Sequence, residues 1–267
     1  QRSSSRISKG FEKLGGAIAG AFAVERVVSF TSEAIKLAGE AQGVEAAFNR
    51  IGNGRILNGL RAATRGTVSD LELMKNAVQA SNFKIPLEEL ASLFEFARRR
   101  AKETGESVDF LVNSIVTGIG RKSPLILDNL GISASALSDK FDGAAVASQS
   151  IGDVTKAVSQ IAQEELRKMG QEVDTTADKV AQMNAKWANI KVTLGQQLAP
   201  AVDGVLGVLN RFLTTGDFTT SVAIEMAESM TDVSEAAKVT TGDISNLIRA
   251  MFPLATTTEQ QIEIFEK

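Results

Sequence analysis

The amino-acid sequence predicts a nearly all-α protein, and three observations carry that prediction. Apolar residues recur at steps of three and four over most of the chain, which is the period of an amphipathic helix. Capping boxes at residues 69–72 and 256–259 each place a hydroxyl side chain three residues before a glutamate, a pattern typical of helix starts. No run alternates apolar and polar residues for long enough to predict a β-strand.

Four segments follow one another along the sequence. Residues 1–50 predict a long N-terminal amphipathic helix, and residues 51–172 predict a module of shorter helices. Residues 173–212 predict a long heptad-patterned helix of coiled-coil character, and residues 213–267 an acidic segment of short helices. We therefore expect an elongated molecule. Because the sequence opens at Gln1 without a methionine and closes in a helical pattern, we also expect a portion of a longer protein.

Within the second segment the sequence marks where successive helices begin and end. Ser69 begins one helix, and Pro86 begins the next, because the missing amide hydrogen of proline costs nothing in a first turn. Gly105 ends that helix, and Ser107 can accept a hydrogen bond from the first turn of the one that follows. The rest of the segment predicts a loop at 118–124, a short helical turn to Leu130 that stops at Gly131, and a helix from Val154 to Met169 ended by Gly170.

A run of basic residues lies on the helix that begins at Pro86. The apolar face of this helix repeats at steps of three and four, which leaves the cations mainly on its other sides. The run has no interleaved aromatic residues and has glutamates at 95 and 103 nearby, so it does not predict nucleic-acid binding. We expect a solvated or ion-paired surface made of Arg98, Arg99, Arg100 and Lys102.

The most regular pattern in the chain is a heptad seam on the helix predicted over 176–212. Its positions are all apolar and recur at steps of three and four, with one four-residue stutter. A helix of that length spans about 55 Å, and Pro200 predicts a kink in it. Either the chain's own helices or further copies of the chain could cover such a stripe. We expect self-association through Val180, Met183, Trp187, Ile190, Leu194, Leu198, Ala201, Val205, Val208 and Phe212.

Composition excludes several kinds of chemistry. The chain has 267 residues, of which 43% are hydrophobic and 23% charged, close to the average of globular proteins. It contains no histidine and no cysteine, which rules out disulfides, Ser-His-Asp catalysis, cysteine nucleophiles and zinc sites with histidine or thiolate ligands. An enzyme would have to work with carboxylates, lysine or arginine alone. We therefore expect no catalytic residue, no metal site and no cofactor.

Charge is unevenly spread along the sequence. The formal net charge is −3, but residues 213–267 hold nine acidic and three basic residues, so that segment carries −6. The preceding 212 residues therefore carry +3. A domain with a dedicated phosphate-binding face is usually strongly basic, so we expect no specific nucleic-acid partner.

Two short motifs resemble enzyme signatures without meeting their requirements. The stretch at 118–123 places Lys122 and a serine after glycines, but a phosphate-binding loop needs glycine where Arg121 and Val116 stand. Glu228, followed by a serine, could be offered as the acid of a peptidoglycan-cleaving transglycosylase. A single carboxylate on a short amphipathic helix is more simply a solvated helix face.

Five stretches of the sequence carry a family resemblance. They are Ala47 to Ile51, Leu60 to Met74, Phe94 to Ser107, Ile115 to Ile132, and Leu194 to Ala201, the last of which reads LGQQLAPA. These stretches resemble tape measure proteins of long-tailed bacteriophages. The resemblance covers roughly residues 40–212, is most specific in its middle block, and brings no catalytic motif with it.

This resemblance implies a structural protein of the virion that lies inside the phage tail, in the tube lumen or at the tip. Such a protein sets tail length during assembly and is released during DNA ejection. The partners implied are further copies of the chain, as a trimer, tail tube and tail tip proteins, a tail assembly chaperone, and the host membrane during ejection. Two other functions stay open, namely a membrane-active helical protein that aids envelope penetration and a peptidoglycan hydrolase module.

Overall fold

The computed structural model describes residues 33–52 and 54–215, with side chains as far as residue 200. Over these residues the regular secondary structure is helical and includes no β-strand, which confirms the predicted all-α class. The predictions for residues 1–32 and 216–267, including the second capping box and Glu228, lie outside the described residues.

Nine α-helices follow one another in the described part of the chain. The first, α1, covers residues 33–51, and the last, α9, runs without interruption through Pro200. Short 3₁₀ turns at Leu87–Glu89, Asp128–Leu130 and Val146–Ser148 lie between some of the helices. The other helices are α2 (Gly54–Ala63), α3 (Asp70–Asn82), α4 (Leu90–Thr104), α5 (Val108–Gly120), α6 (Pro124–Leu127), α7 (Ala134–Asp139), α8 (Ile151–Lys168) and α9 (Thr176–Thr215).

These helices belong to two compact units. Residues Glu40–Ile190 form one, called here the central unit, and Gln1–Gly39 with Lys191–Lys267 form the other, the terminal unit. The boundaries between the units fall inside α1 and α9, whereas the sequence places segment boundaries after residues 50 and 172.

Local hydrogen bonds explain why the helices of the central unit begin where they do. Ser69, Ser107, Ser133 and Ser150 each have an extended backbone and accept a hydrogen bond through Oγ from the amide three residues later, at 3.1 to 3.3 Å. The predicted starts at Ser69 and Ser107 are therefore confirmed.

Glycines with a left-handed backbone lie at or just beyond several helix ends. Gly105, Gly131 and Gly170 have φ of +77°, +73° and +66°, a region that residues with a side chain rarely adopt. The predicted stops at these three positions are confirmed. Pro86 does not begin an α-helix directly, because a 3₁₀ turn at Leu87–Glu89 precedes α4.

The apolar core of the central unit is built around α4, which lies against α2, α5 and α8. The buried side chains of α5 and α8 face it along stripes at helical spacing, as the apolar periodicity predicts. The fully buried apolar residues of α4 are Leu90, Leu93, Phe94, Phe96 and Ala97.

The expectation of a loop over 118–124 is wrong for residues 118–120, which belong to α5, and for Pro124, which begins α6. Gly118 and Gly120 belong to the last turn of α5, and only residues 121–123 connect α5 to α6. A Cβ atom on Gly118 would lie 2.7 Å from the side chain of Leu127, and one on Gly120 would overlap the ring of Phe83. These glycines therefore permit close packing of helices rather than a flexible connection.

In the terminal unit, α1 and α9 pack closely through small residues. A Cβ atom on Gly195 would overlap the carbonyl group of Ala34 and lie 2.8 Å from Cβ of Ala38. An ion pair between Lys191 and Glu33, at 2.8 Å, joins the same two helices. The family-like stretch at 194–201 thus includes a glycine that the helix crossing requires.

Candidate functional site

The described residues bring charged side chains together around Glu172, in the connection between α8 and α9. Three cations surround this carboxylate: Arg65, which follows α2, and Arg98 and Lys102, both on α4. Arg98 is bidentate, with Nη1 donating to Oε1 and Nη2 donating to Oε2 at 2.8 Å. Nη2 of Arg65 lies 3.1 Å from Oε2. These residues form the centre of what we call the charge cluster.

Burial of Arg98 corrects the expectation that the basic run forms a solvated or ion-paired surface, because this side chain is ion-paired but lies in the interior. Its side chain is only 2% exposed, and that of Glu172 only 5%. Its Nε also donates to the backbone carbonyl of Ala63, at 2.9 Å. A buried guanidinium is tolerated only when its donors are paired, and a carboxylate and a carbonyl provide that pairing here.

Two more acidic residues and several backbone carbonyls complete the cluster. Asp174 pairs with Arg65 at 3.1 Å, and Asp178 pairs with Lys102 at 2.8 Å. Lys102 also donates to the carbonyl of Val173, at 3.2 Å, and Arg99 donates to that of Gly170, at 2.7 Å. The charge cluster as defined here comprises Arg65, Arg98, Lys102, Glu172, Asp174 and Asp178, and its three positive and three negative charges balance.

The remaining cation of the basic run, Arg100, is also paired. Its guanidinium contacts Glu103 at 2.7 Å and Glu165 at 3.1 Å, and it lies over the ring of Phe96, 5.4 Å from the ring centre. The prediction of an ion-paired surface is therefore confirmed for Arg100 and Lys102, and the prediction of a solvated surface does not hold for Arg98.

Protonation in the cluster follows from these contacts. The hydrogen bonds from Arg98 lower the pKa of Glu172 to about 2, although burial opposes the shift. Burial also opposes ionisation of Asp178, but hydrogen bonds from Lys102 and Thr175 lower its pKa. Burial opposes ionisation of Lys102 as well, but its hydrogen bonds to Asp178 and Glu172 raise its pKa. Each group is thus held in its charged form at neutral pH, which suits an ion-pair network and not proton transfer.

The first part of α9, which belongs to the central unit, makes polar contacts with the rest of that unit along one side. Asp178, Gln182, Ala185 and Asn189 recur at steps of four, three and four, so they share one side of the helix. Gln182 donates to the carbonyl of Arg65 at 3.0 Å. The Asn189 side chain accepts a hydrogen bond from the amide of Asp70, at 2.8 Å, and so satisfies a free donor in the first turn of α3.

The predicted heptad seam lies on other sides of α9 and changes character along the helix. Val180 and Met183 are 47% and 40% exposed, whereas Trp187 and Ile190 are half-buried. Leu194 and Leu198 are buried, in the terminal unit. The backbone at the last four seam positions is helical, but their side chains lie outside the described residues: Ala201, Val205, Val208 and Phe212.

The other candidate motifs from the sequence form no functional site among the described residues. The stretch around Lys122 follows a helix rather than a strand, and Nζ of Lys122 donates to the carbonyl of Ala147 at 3.2 Å. Among the described residues, no group of three or more acidic side chains could hold a metal ion. None of the described helices is long and apolar enough to cross a membrane.

Sequence reasoning missed the acidic half of the charge cluster. Glu172 lies 74 residues from Arg98, and nothing in the periodicity of either segment pairs them. The available signal was compositional: Glu172, Asp174 and Asp178 lie close together in the chain after Gly170, and a run of four cations elsewhere needed partners.

Comparison with known proteins adds no assignment. No protein family model, no curated protein and no solved structure matches the chain. The function therefore has to be argued from the geometry above and from the resemblance of the five sequence stretches.

Proposed function

We propose that this chain is a structural protein of a bacteriophage tail, of the tape measure type, and that it has no enzymatic activity. In this role it lies in the tail tube lumen or at the tail tip, contributes to setting tail length, and is released during DNA ejection. The observation that carries the proposal is α9, an uninterrupted helix of 40 residues that continues from a folded helical unit. A ruler requires length along one direction, and a continuous helix supplies about 1.5 Å per residue.

The placement of the family-like residues supports this reading. Within the stretch 115–132, the side chains of Ile115, Ile119, Leu127 and Leu130 are fully buried, so the stretch specifies helix packing. The stretch 94–107 contributes Phe94, which is fully buried as well. The residues on which the resemblance depends are therefore those expected of a shared helical fold, with no reactive side chain among these five.

The charge cluster supports a structural role in the same way. A general acid or base needs a carboxyl group whose pKa lies near the working pH, whereas ion pairs hold Glu172 and Asp178 ionised. Both carboxylates already accept hydrogen bonds from cations of α4. These two acids bind the connection between α8 and α9 to the rest of the central unit.

We test the tail role in virions of the phage that encodes the chain. In-frame removal of residues 201–214, two heptads of α9, should shorten the tails by about 21 Å while the heptad phase is kept. Tail length is measured by electron microscopy over many particles. The matched control carries Leu125→Asp, which changes no chain length and should leave the tails unchanged.

Two results would contradict this proposal. One is unchanged tail length after the deletion, in particles that still contain the shortened protein by mass spectrometry. The other is absence of the protein from purified virions before ejection. Release of a dye from liposomes by the purified chain would favour the membrane-active alternative, and release of muropeptides from peptidoglycan would favour the hydrolase.

We further propose that α9 self-associates, as a coiled coil, through the exposed end of the heptad seam at Val180 and Met183, since Leu194 and Leu198 are already buried within the chain. The exposed side chains of Val180 and Met183 support this, because two large apolar side chains on adjacent turns of one face gain from being covered. The threefold copy number rests on the family resemblance alone, since mixed apolar residues on the seam do not select an oligomer.

The exposed end of the seam allows a sharp test. Val180→Asp combined with Met183→Asp alters side chains that are exposed in a single chain, so the monomer should fold normally while the oligomer disperses. Leu125→Asp, at a residue 82% exposed on α6, is the matched control and should not change the oligomeric state. Light scattering gives the mass in solution. A monomeric unmodified chain, or an oligomer that survives the double substitution, would disprove the seam.

A further inference from the structure

Among the described side chains, none on α9 belongs to the buried apolar core of the central unit. The buried residues of this core come from α1 to α8 and the segments that join them, and range from Phe48 to Ala162. Ala185 is the buried apolar residue on the part of α9 within the central unit. Trp187 and Ile190 are half-buried there, and Ala185 removes little apolar surface from water, so no large apolar side chain on this part of the helix is fully buried.

Polar contacts take the place of apolar ones along this part of α9 and the connection before it. The charge cluster attaches residues 172–178, Gln182 bonds to the backbone of Arg65, and Asn189 bonds to the backbone of Asp70. The charged groups that face Glu172 are Arg65, Arg98 and Lys102, and those cations are shared with Asp174 and Asp178. The attachment therefore depends on one interlinked set of charges.

Apolar packing and ion pairs respond differently to salt and to the loss of a partner. Apolar packing is insensitive to moderate salt, whereas the exposed ion pairs of the cluster, such as that of Arg65 with Asp174, weaken as salt shortens the range of electrostatic forces. Removing one partner of a buried ion pair leaves the other charge uncompensated, which is strongly destabilising at that place. The ion pairs of the cluster can thus break while the apolar core of the central unit stays packed.

We propose that residues 171–190 form a releasable arm, held on the central unit by the charge cluster and able to detach while the core of α1 to α8 stays folded. The arm consists of the connection that contains Glu172 and the first four turns of α9. Its release is a conformational device of this unit and does not depend on the proposed role in a phage tail.

The experiment is amide hydrogen exchange, followed by mass spectrometry, on the full 267-residue chain with and without Glu172→Gln. In the variant, exchange over residues 171–190 should accelerate by roughly tenfold or more, because Arg98 loses its buried partner. Exchange in α4 and α5 should change little. Glu164→Gln is the matched control: it removes the same kind of group from an exposed pair with Lys140, and should leave exchange in the arm unchanged.

Two further measurements keep the test decisive if Glu172→Gln folds poorly. Asp178→Asn removes an acid at the edge of the cluster and leaves Arg98 paired with Glu172, so it should accelerate exchange in the arm by a smaller factor. In the unmodified chain, raising sodium chloride from 0.1 to 1 M shortens the screening length from about 10 to about 3 Å and should also accelerate exchange in the arm.

The single tryptophan of the chain, Trp187, lies in the arm and reports its environment by fluorescence. A shift of its emission in Glu172→Gln, with hydrogen exchange in α4 and α5 unchanged, would support the proposal. Equal acceleration of exchange in the arm, α4 and α5 would overturn it, because the arm would then unfold only with the core. Unchanged exchange in the arm in both variants and at high salt would overturn it as well.

Discussion

Helices α4 and α9 lie in one chain but are held by opposite means. In α4, five apolar residues are fully buried, and a single buried cation, Arg98, interrupts that surface. Where α9 belongs to the central unit, the face in contact is polar at Asp178, Gln182 and Asn189. An apolar face stabilises through the area removed from water, whereas a polar face stabilises only through the geometry of its pairs. The apolar face of α4 therefore tolerates changes in salt and pH, whereas the polar face of α9 is sensitive to them.

The largest effect should come from the centre of α4. Phe94→Ala removes a fully buried ring and leaves a cavity, so we expect a loss of about 3 to 5 kcal/mol in the free energy of unfolding. Chemical denaturation followed by circular dichroism measures it. Phe110→Ala, at a ring that is 45% exposed, is the control and should cost much less. Equal losses of unfolding free energy for the two substitutions would show that Phe94 is not part of the core.

The next largest effect should come from acid, which weakens the ion pairs that hold α9 but not the apolar packing of α4. The pKa of Glu172, about 2, lies below its ordinary value of 4.5, so its ionised form stabilises the fold fully above pH 4.5. That stabilisation is lost as the pH falls from 4.5 towards 2, and it amounts to about 1 to 3 kcal/mol.

Comparing the unmodified chain with Glu172→Gln at pH 6 and pH 3 isolates this contribution from that of other acids. The difference in unfolding free energy between the two proteins should be large at pH 6 and should shrink at pH 3. At pH 3 Glu172 is protonated in the unfolded chain but still mostly ionised in the folded one, so unfolding takes up a proton and is favoured. A difference that stays constant between the two pH values would contradict the assignment of the low pKa to Glu172.

A smaller effect should come from the glycine that lets α5 approach α6. Gly118→Ala would place Cβ 2.7 Å from the side chain of Leu127, and we expect a net loss of about 1 to 2 kcal/mol. Gly59→Ala is the control, because nothing lies within 4 Å of a Cβ atom built on this residue of α2. It should instead stabilise the helix by about 0.5 to 1 kcal/mol. Thermal denaturation of both variants gives the sign of each change.

The smallest effect should come from the polar face of α9. Asn189→Ala leaves the amide of Asp70 without its acceptor, so we expect a loss of about 0.5 to 1.5 kcal/mol. Hydrogen exchange at the first turn of α3 should rise in the variant, and exchange in α8 should not. A larger loss than that of Phe94→Ala would reverse the comparison between the two helices.

The sequence by itself determined the all-α class of the described residues and several helix ends. Ser69 and Ser107 begin helices because the serine side chain bonds to the amide three residues later, and Gly105 ends one because it adopts positive φ without steric cost. Such signals are local and involve a few consecutive residues. The same locality explains the failure at 118–120, where glycines typical of loops are required instead by a neighbouring helix.

Only the tertiary structure decided which side of α9 contacts the other helices of the central unit. On α9 the apolar series through Val180, Met183 and Trp187 and the polar series through Asp178, Gln182 and Asn189 both have helical spacing. Hydrophobicity favours the first as the packed face, yet the ion pair of Asp178 and the hydrogen bonds of Gln182 and Asn189 lie on the second. The reason is that Asn189 pairs with an amide 119 residues away, and Glu172 with a guanidinium 74 residues away. Periodicity along the chain contains no information about partners at that distance.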